Sequence, residues 1–319
     1  MTKKKKVLKI FVITLITMIF IGLIGISVFT GLAVFKGTTE LTTWEQTIKN
    51  DESYLKSISF DMTAFQDTYN IEQITINSTQ SSHIIPASSI HTNLPKSKGT
   101  AILVHGLGGA KTSTYPIAKI FLELGYDVLA YDQRRAGDNK ASLNTLGYLE
   151  SYDLLDCVNY VRRQNQDGKL IVWGCSYGGA TAGIALGRDD RQIDAAVLDC
   201  PLSDGEYFIK KELEEISNET GLPPAFMLFT GNVVAKIKLG FSFHDTAVPA
   251  FIGNATTPVL IFNSKADTLT PSFMGQDIYA AISHDRKKII TVDDSKHISI
   301  FVDYPTMYRT QIEEFLSTI

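Results

Sequence analysis

The feature that most constrains this chain is an apolar segment that runs directly into a turn of glycine and serine. Residues 171–179 read Ile-Val-Trp-Gly-Cys-Ser-Tyr-Gly-Gly, so Ser176 stands in a Gly-x-Ser-x-Gly pattern. This pattern is typical of a serine held on a sharp turn between a strand and a helix. Glycine suits positions 174 and 178 because a Cβ there would clash with the tight turn. We therefore expect the Ser176 hydroxyl at a sheet edge, near the N-terminus of the following helix.

A Gly-x-Ser-x-Gly pentapeptide also occurs where the serine is not catalytic. The surrounding sequence must therefore indicate whether Ser176 is a catalytic residue. Upstream, the apolar run 100–104 ends in His105-Gly106-Leu107-Gly108-Gly109. Downstream, the apolar run 258–262 is followed by Asp267, and His297 comes later still. The order serine, aspartate, histidine is one of the chain orders in which catalytic triads occur.

With these motifs the chain resembles the α/β-hydrolases, above all bacterial serine hydrolases with one N-terminal membrane anchor, similar to serine aminopeptidases and esterases. The resemblance runs from about residue 70 to the C-terminus. It implies Ser176 as nucleophile, His297 as base and Asp267 as the acid that orients the imidazole. It also implies an oxyanion hole formed by the backbone N–H groups of Leu107 and Tyr177.

The acid is the least constrained member of this set. Asp199 is the rival, because it ends another strand-like run and some hydrolases carry their acid there. Asp293 and Asp294 are nearer to His297 in sequence, but we interpret them as solvated loop residues. The stretch 132–137 departs from the family pattern Asp-x-Arg-Gly-x-Gly, since Arg135 replaces its first glycine. This substitution puts the local loop shape in question.

Apolar runs and helical patterns alternate along most of the chain, which predicts an α/β fold with a doubly wound, mostly parallel sheet. The stretch 202–250 interrupts the alternation and is helix-forming and apolar in blocks, so we interpret it as a helical lid insertion. The predicted domains are a basic cytoplasmic tail (1–9), a transmembrane anchor (10–35), a stalk or N-terminal segment (36–69) and the hydrolase domain (70–319).

The N-terminus carries the second strong signal. Five lysines in residues 3–9 precede an uncharged run from Ile10 to Phe35, long enough to span a hydrocarbon core of ~30 Å. A secretory signal has a shorter apolar region and a small-residue cleavage site, for which 31–33 is a poor candidate. The lysines predict a cytoplasmic N-terminus and an extracellular catalytic domain in a single-pass membrane protein.

Other function classes fit the sequence poorly. Beyond residue 9 the chain carries 25 basic against 34 acidic residues, which disfavours nucleic-acid binding. The stretch 105–112 lacks the two glycines that a Walker A loop needs, and the six histidines show no metal-binding spacing. We therefore expect no cofactor and no metal. Three cysteines are too few for a disulfide framework, although a bond between Cys175 and Cys200 stays open.

The sequence thus predicts a serine hydrolase that cleaves an ester or amide of a small molecule or peptide through an acyl-enzyme at the outer cell surface. A carboxylesterase is favoured. The alternatives are a serine peptidase of the same fold and a non-catalytic binding protein built on a hydrolase fold.

Overall fold

The computed structural model describes residues 3–319, so the first two residues of the predicted basic tail lie outside the described residues. The helices are α1 (Lys3–Thr39), α2 (Trp44–Ser57), α3 (Met62–Thr68), α4 (Tyr115–Glu123), α5 (Glu150–Gln164), α6 (Tyr177–Arg188), α7 (Gly205–Thr220), α8 (Pro224–Leu239), α9 (Pro249–Ile252), α10 (Phe273–Ala281), α11 (Ile300–Asp303) and α12 (Pro305–Ser317). The strands are β1 (Ile71–Asn77), β2 (Ile84–Ile90), β3 (Gly99–Val104), β4 (Asp127–Tyr131), β5 (Lys169–Cys175), β6 (Ala195–Asp199), β7 (Val259–Ser264) and β8 (Lys287–Val292).

The eight strands form one sheet in the order β1-β2-β4-β3-β5-β6-β7-β8. The pairs β1–β2 and β2–β4 are antiparallel, and every other pair is parallel. This confirms the predicted mostly parallel α/β sheet. Strands β3, β5, β6 and β7 are buried almost throughout, as expected where helices cover both faces of a parallel sheet.

The main apolar core lies between the sheet and helices α4 and α12. Phe121 of α4 and Tyr308 of α12 are fully buried there against strand residues such as Leu103 and Phe262. The rings of Phe262 and Tyr308 stack with centroids 4.2 Å apart. Burying a large side chain of this kind contributes roughly 1.5–3 kcal/mol, so these contacts fix the sheet on which the site is built.

The parallel strands bring their carboxyl ends to one edge of the sheet. His105 follows β3, Ser176 follows β5, and Cys200 follows β6. Asp267 and His297 lie in the loops after β7 and β8. Ligand sites in open α/β sheets form outside this edge, so the topology gathers the residues singled out in the sequence.

The chain divides into two compact units. One contains the chain up to Thr38, with α1, together with residues 206–244, which include α7 and α8. The other contains residues 39–205 and 245–319, including the whole sheet. Helices α2 and α3, from the segment 36–69, belong to this second unit. Among residues 3–319, α1 alone is long and apolar enough to cross a membrane.

One helix begins later than its pattern predicts. We expect a helix over 146–164, but α5 begins at Glu150. The Glu150 carboxylate accepts hydrogen bonds from the N–H groups of Thr145 and Gly147. It therefore holds the preceding residues in a tight turn, in which Leu146 and Gly147 have positive φ values of 54° and 92°. Such values are incompatible with a right-handed helix.

Candidate active site

Ser176 lies on the sharp turn between β5 and α6. Its φ of 53° and ψ of −121° are a strained combination for a residue with a side chain. Hydrogen bonds hold this conformation on both sides: the Ser176 N–H donates to the Asp199 carbonyl at 2.9 Å, and its carbonyl accepts from the N–H groups of Ala180 and Leu202. The side chain is partly exposed.

The two glycines of the motif are required by close backbone approach. A Cβ on Gly174 would lie 2.4 Å from the Gly178 carbonyl oxygen. A Cβ on Gly178 would lie 2.1 Å from the Val104 carbonyl oxygen. Both contacts are to backbone atoms that cannot move aside without distorting β3 or the turn. Glycine at these positions therefore allows α6 to begin directly after Ser176.

His297 and Asp267 form a short hydrogen-bonded pair. His297 Nδ1 lies 2.6 Å from Asp267 Oδ2, and the Asp267 carboxylate is almost fully buried. Asp267 Oδ1 accepts hydrogen bonds from the N–H groups of Leu269 and Thr270. With every carboxylate oxygen accepting, the shared proton is expected on His297 Nδ1, which directs the lone pair of Nε2 away from Asp267.

The charge state of Asp267 follows from opposing effects. Burial alone would raise its pKa, but the hydrogen bond and charge of His297 and the donors of Thr270 lower it below its usual value. Asp267 is thus an ionised acceptor at neutral pH. The Thr270 hydroxyl lies 2.9 Å from Asp267 Oδ2 and 3.1 Å from His297 Nδ1, so it packs against the pair from one side.

The end of β6 links this pair to the serine turn. The Thr270 hydroxyl lies 2.9 Å from the Cys200 carbonyl, one residue beyond the Asp199 carbonyl that holds Ser176. Ser176 and His297 both belong to the described residues, and no direct hydrogen bond joins their side chains in this conformation. Catalytic hydrogen bonds are commonly long in unliganded sites and tighten when substrate binds.

The rival acids have other partners. Asp199 is fully buried, and its Oδ2 accepts a hydrogen bond from Tyr308, whose oxygen in turn accepts from the Trp173 indole. Burial raises the pKa of Asp199 to about 6. Asp293 pairs with Lys265 on the surface, and Asp294 accepts from Tyr304. Among the described residues, the carboxylate that hydrogen-bonds to His297 is therefore that of Asp267. Within this part of the chain, Asp199, Asp293 and Asp294 have no such bond.

The loop after β3 lies beside the serine. A Cβ on Gly106 would lie 3.6 Å from Ser176 Cβ. Among the described residues, no hydrogen-bond acceptor is found for the N–H groups of Leu107 and Tyr177, the two donors that the resemblance implies. Both flank Ser176, one in the adjacent loop and one at the start of α6.

His105 shapes this loop. Its Nε2 accepts a hydrogen bond from the Gln133 N–H, so Nδ1 carries the proton and donates to the Gly106 carbonyl. Complete burial lowers the pKa of His105, which keeps the imidazole neutral. The Gln133 amide also donates to the His105 carbonyl and accepts from Thr181 of α6. Gln133 therefore ties the loop to the helix that follows the serine.

The contribution of α2 to the site is not apparent from the sequence. The Asp51 carboxylate accepts hydrogen bonds from the N–H groups of Ala110 and Ser113 and from the Thr112 hydroxyl. Asn50 donates to the Gly108 carbonyl at 2.7 Å. The only signal in the sequence is the polar pair Asn50-Asp51 within an amphipathic helix, and nothing local marks it as a partner of a loop nearly 60 residues away.

Arg135, at which the sequence departs from the family pattern, has an unusual backbone conformation. Arg135 has a φ of 59°, the left-handed conformation in which the family pattern has glycine. Its guanidinium donates to the carbonyls of Thr42 and Ser142. Two hydrogen bonds from a charged group offset the conformational cost, which is of order 1–3 kcal/mol. Arg135 therefore adopts a backbone conformation that glycine would adopt without strain.

A cavity of about 210 Å³ lies beside the loop after β3. Its polar lining includes Asn50, Asp51 and Asp199. The apolar side chains that line it include Tyr54, Leu107, Ile117, Trp173, Ile298 and Phe301. Pockets that hold drug-sized ligands have about 300–1,000 Å³, so this cavity suits a small group.

The remaining sequence candidates fall outside this chemistry. Cys157, Cys175 and Cys200 are buried free thiols, so the open question of a bond between the last two is answered with no disulfide. Within residues 3–319, no group of three or more histidine, cysteine, aspartate or glutamate side chains could hold a metal ion.

Known proteins resemble the chain in sequence and in fold. Residues 101–219 match the family model described as alpha/beta hydrolase fold. The uncharacterized protein YqkD of Bacillus subtilis is 23% identical over 222 residues, covering 69% of this chain and 72% of that protein. Putative methylesterase 14 of Arabidopsis thaliana is 30% identical over 149 residues, or 44% of this chain and 41% of that one.

Among solved structures, the Pyrococcus furiosus esterase Pf2001 superimposes with a TM-score of 0.61 at 21% identity. The match covers 83% of this chain and 95% of the esterase. At this identity the likeness shows the fold. Together with the family model, it confirms the fold that the sequence predicts. The chain thus has the α/β-hydrolase fold, and its residues 101–219 are similar in sequence to that family.

Proposed function

We propose that the protein is a serine carboxylesterase that works through an acyl-enzyme on Ser176. The observation that carries this proposal is the buried Asp267–His297 pair, 2.6 Å apart, at the sheet edge that also presents Ser176 on a strained turn. A serine hydroxyl is a weak nucleophile and needs a neighbouring base. An imidazole whose Nδ1 proton is held by a buried carboxylate directs its basic Nε2 outward.

In the proposed mechanism His297 Nε2 removes the proton of Ser176 as the serine oxygen attacks the substrate carbonyl. The N–H groups of Leu107 and Tyr177 stabilise the negative oxygen that forms. His297 then protonates the leaving alcohol, and the acyl group stays on Ser176. A water molecule, deprotonated by His297, releases the acid and restores the serine. Asp267 stays ionised and stabilises the imidazolium at each step.

The cavity beside the oxyanion loop supports a preference for small acyl groups. Its apolar lining favours a short hydrocarbon, whereas each further methylene adds only ~0.8 kcal/mol and needs room. We expect short and medium acyl esters to be cleaved faster than long ones. A rate that rises steadily beyond about twelve carbons would contradict this preference.

The proposed location is the outer face of the cell membrane. Residues 10–26 of helix α1 are exposed on every side, which suits lipid rather than water, and five lysines precede this apolar segment. Short basic segments stay in the cytoplasm, so the sheet-bearing unit would be extracellular.

The test is a hydrolysis screen of the purified full chain on three matched substrate sets: acyl esters, aminoacyl amides and short peptides. We expect the highest kcat/KM on short acyl esters and its loss in Ser176→Ala. Ser283→Ala, which removes an exposed serine hydroxyl between α10 and β8, is the matched control and should keep full activity. Faster cleavage of amides or peptides would favour the peptidase alternative. Equal activity of Ser176→Ala would overturn the proposal.

A further inference from the structure

Helix α8 of the insertion packs directly on the outer end of the apolar helix α1. A Cβ on Gly31 of α1 would lie 2.6 Å from the Thr230 carbonyl oxygen and 2.8 Å from a methyl group of Val234. Likewise, a Cβ on Gly231 of α8 would lie 2.4 Å from a methyl group of Val34 on α1. Small residues that let two helix backbones approach this closely are typical of helix pairs in membranes.

With α1 taken as the membrane span, the contact falls at the depth of the membrane surface. At a rise of 1.5 Å per residue, a hydrocarbon core of ~30 Å uses about 20 residues of the run that begins at Ile10. It therefore ends near Phe29, and Gly31 and Val34 fall within roughly 10 Å beyond it, in the headgroup region. The burial pattern agrees, because residues 4–26 are exposed on all sides and a covered face appears from residue 27 onward.

The outward side of α8 is apolar. Phe229, Val233 and Ile237 follow one another at intervals of four residues and are 67%, 42% and 78% exposed. At that spacing they form a single stripe along the helix. Lys236 and Lys238 stand at its C-terminal end, and the Lys238 ammonium lies 5.3 Å from the ring of Phe35 on α1.

Helix α7 of the same unit provides a contrast. Its surface carries charged side chains throughout: Glu206, Lys210, Lys211, Glu212, Glu214, Glu215 and Glu219. Within α8, by comparison, Asn232 and the two lysines are the only side chains that are charged or carry an amide. A helix that is apolar on nearly every side is either buried or in contact with lipid. Because this stripe is exposed, burial within the unit does not explain it.

We propose that α8 is an interfacial helix whose stripe Phe229–Val233–Ile237 inserts into the outer leaflet beside α1. Its depth is that of an interfacial helix, which buries its apolar side roughly 5–10 Å into the boundary of headgroups and acyl chains. The two lysines are then placed at the level of lipid phosphates, as cations at such a boundary are. The proposal rests on α1 being an uncleaved membrane span.

The experiment places one added tryptophan at a time in the full chain, reconstituted into bilayers with and without bromine on the acyl chains. Bromine quenches tryptophan only on contact, so a loss of the added emission identifies lipid as the neighbour. The variants are Ile237→Trp in the stripe, Glu215→Trp on the exposed face of α7, and Phe20→Trp in the middle of α1. The unmodified chain supplies the background of Trp44 and Trp173.

We expect brominated lipid to remove much of the added emission of Ile237→Trp and Phe20→Trp and little of that of Glu215→Trp, because only the first two positions contact acyl chains. Quenching of Phe20→Trp without quenching of Ile237→Trp would overturn the proposal while leaving the anchor intact. An unquenched Phe20→Trp would remove the span and the proposal with it. The esterase proposal is independent of either result, because these positions lie outside the sheet-bearing unit.

Discussion

At the scale of single residues, hydrogen-bond geometry separates Asp267 from its rival Asp199. Both carboxylates lie at the carboxyl edge of the sheet and both are buried. Asp267 directs one oxygen at His297 and receives two backbone donors on the other. Asp199 is engaged with Tyr308, and among the described residues its Oδ1 has no hydrogen-bond partner. The two residues should therefore respond differently to loss of charge.

We expect Asp267→Asn to keep the fold and lose roughly 10⁴-fold in kcat, because an amide in place of the carboxylate favours the wrong histidine tautomer. Ser176→Ala and His297→Ala should be at least as damaging, and the losses should not add, since the three act as a unit. Ester hydrolysis by the purified variants measures this. Near-normal kcat in Asp267→Asn together with its loss in Asp199→Asn would move the acid to Asp199.

We expect protonation of Asp199 to affect how the free energy of unfolding depends on pH. Its folded-state pKa of about 6 exceeds the usual value of an unfolded aspartate, so the folded chain keeps a proton that the unfolded chain releases. The free energy of unfolding therefore falls by at most about 3 kcal/mol as pH rises from about 4 to about 6, and it does not change further above pH 6.

Asp199→Asn removes the group that titrates. Any change in the free energy of unfolding that the amide causes at every pH cancels when values at two pH points are compared. The variant should gain stability relative to the natural chain as pH rises from 4 to 7. Thermal unfolding midpoints of both proteins in the same detergent, taken across that range, measure the difference. A difference that does not change with pH would contradict the account.

At the scale of elements, the serine turn is readable from sequence and the support of the oxyanion loop is not. The turn is marked in the sequence by residues within five positions of one another. Gly174 is required by a contact inside the turn, and Gly178 by its contact with the Val104 carbonyl of β3. The loop after β3 depends on Asp51, which is brought to it by tertiary packing of α2. Similarly, the pattern identified Arg135 as a departure, but only the structure shows that its backbone still adopts the glycine conformation.

We expect Asp51→Ala to lower kcat by about 10–100-fold, because three donors of the loop lose their acceptor and the loop shifts beside Ser176. Asp51→Asn, which keeps an acceptor oxygen, should recover part of the loss. Asp61→Ala is the matched control: it removes the cap of α3, costing about 1 kcal/mol of stability, and should leave kcat unchanged. Equal kcat in Asp51→Ala and Asp61→Ala would show that Asp51 has only a structural role.

At the scale of the whole molecule, the alternation of apolar runs and helical patterns predicts the fold well. The central strands β3, β5, β6 and β7 coincide with short apolar runs, which is why the alternation predicts a mostly parallel sheet. For the segment 36–69, the polar composition does not distinguish an extended stalk from the helices α2 and α3, which belong to the second unit. The insertion is recognisable as helical, but its close contact with α1 depends on glycines that the sequence alone does not pair.

The membrane topology is a prediction at this scale. Five lysines before the span should keep the N-terminus inside and place the sheet-bearing unit outside. Protease added to intact cells should digest that unit, whereas a cytoplasmic marker protein survives. A protected unit would reverse the orientation, and a mature N-terminus near residue 34 would show that the segment is a cleaved signal.

Covalent labelling of the full chain with a fluorophosphonate tests directly whether Ser176 is an activated nucleophile. The adduct is detected by intact mass and located by sequencing of the modified peptide. Such a reagent phosphonylates a serine only when a base activates it. We expect one adduct, on Ser176, in the natural chain and in Ser283→Ala, none in Ser176→Ala, and greatly slowed labelling in His297→Ala. An unmodified Ser176, or an adduct on another residue, would contradict the account.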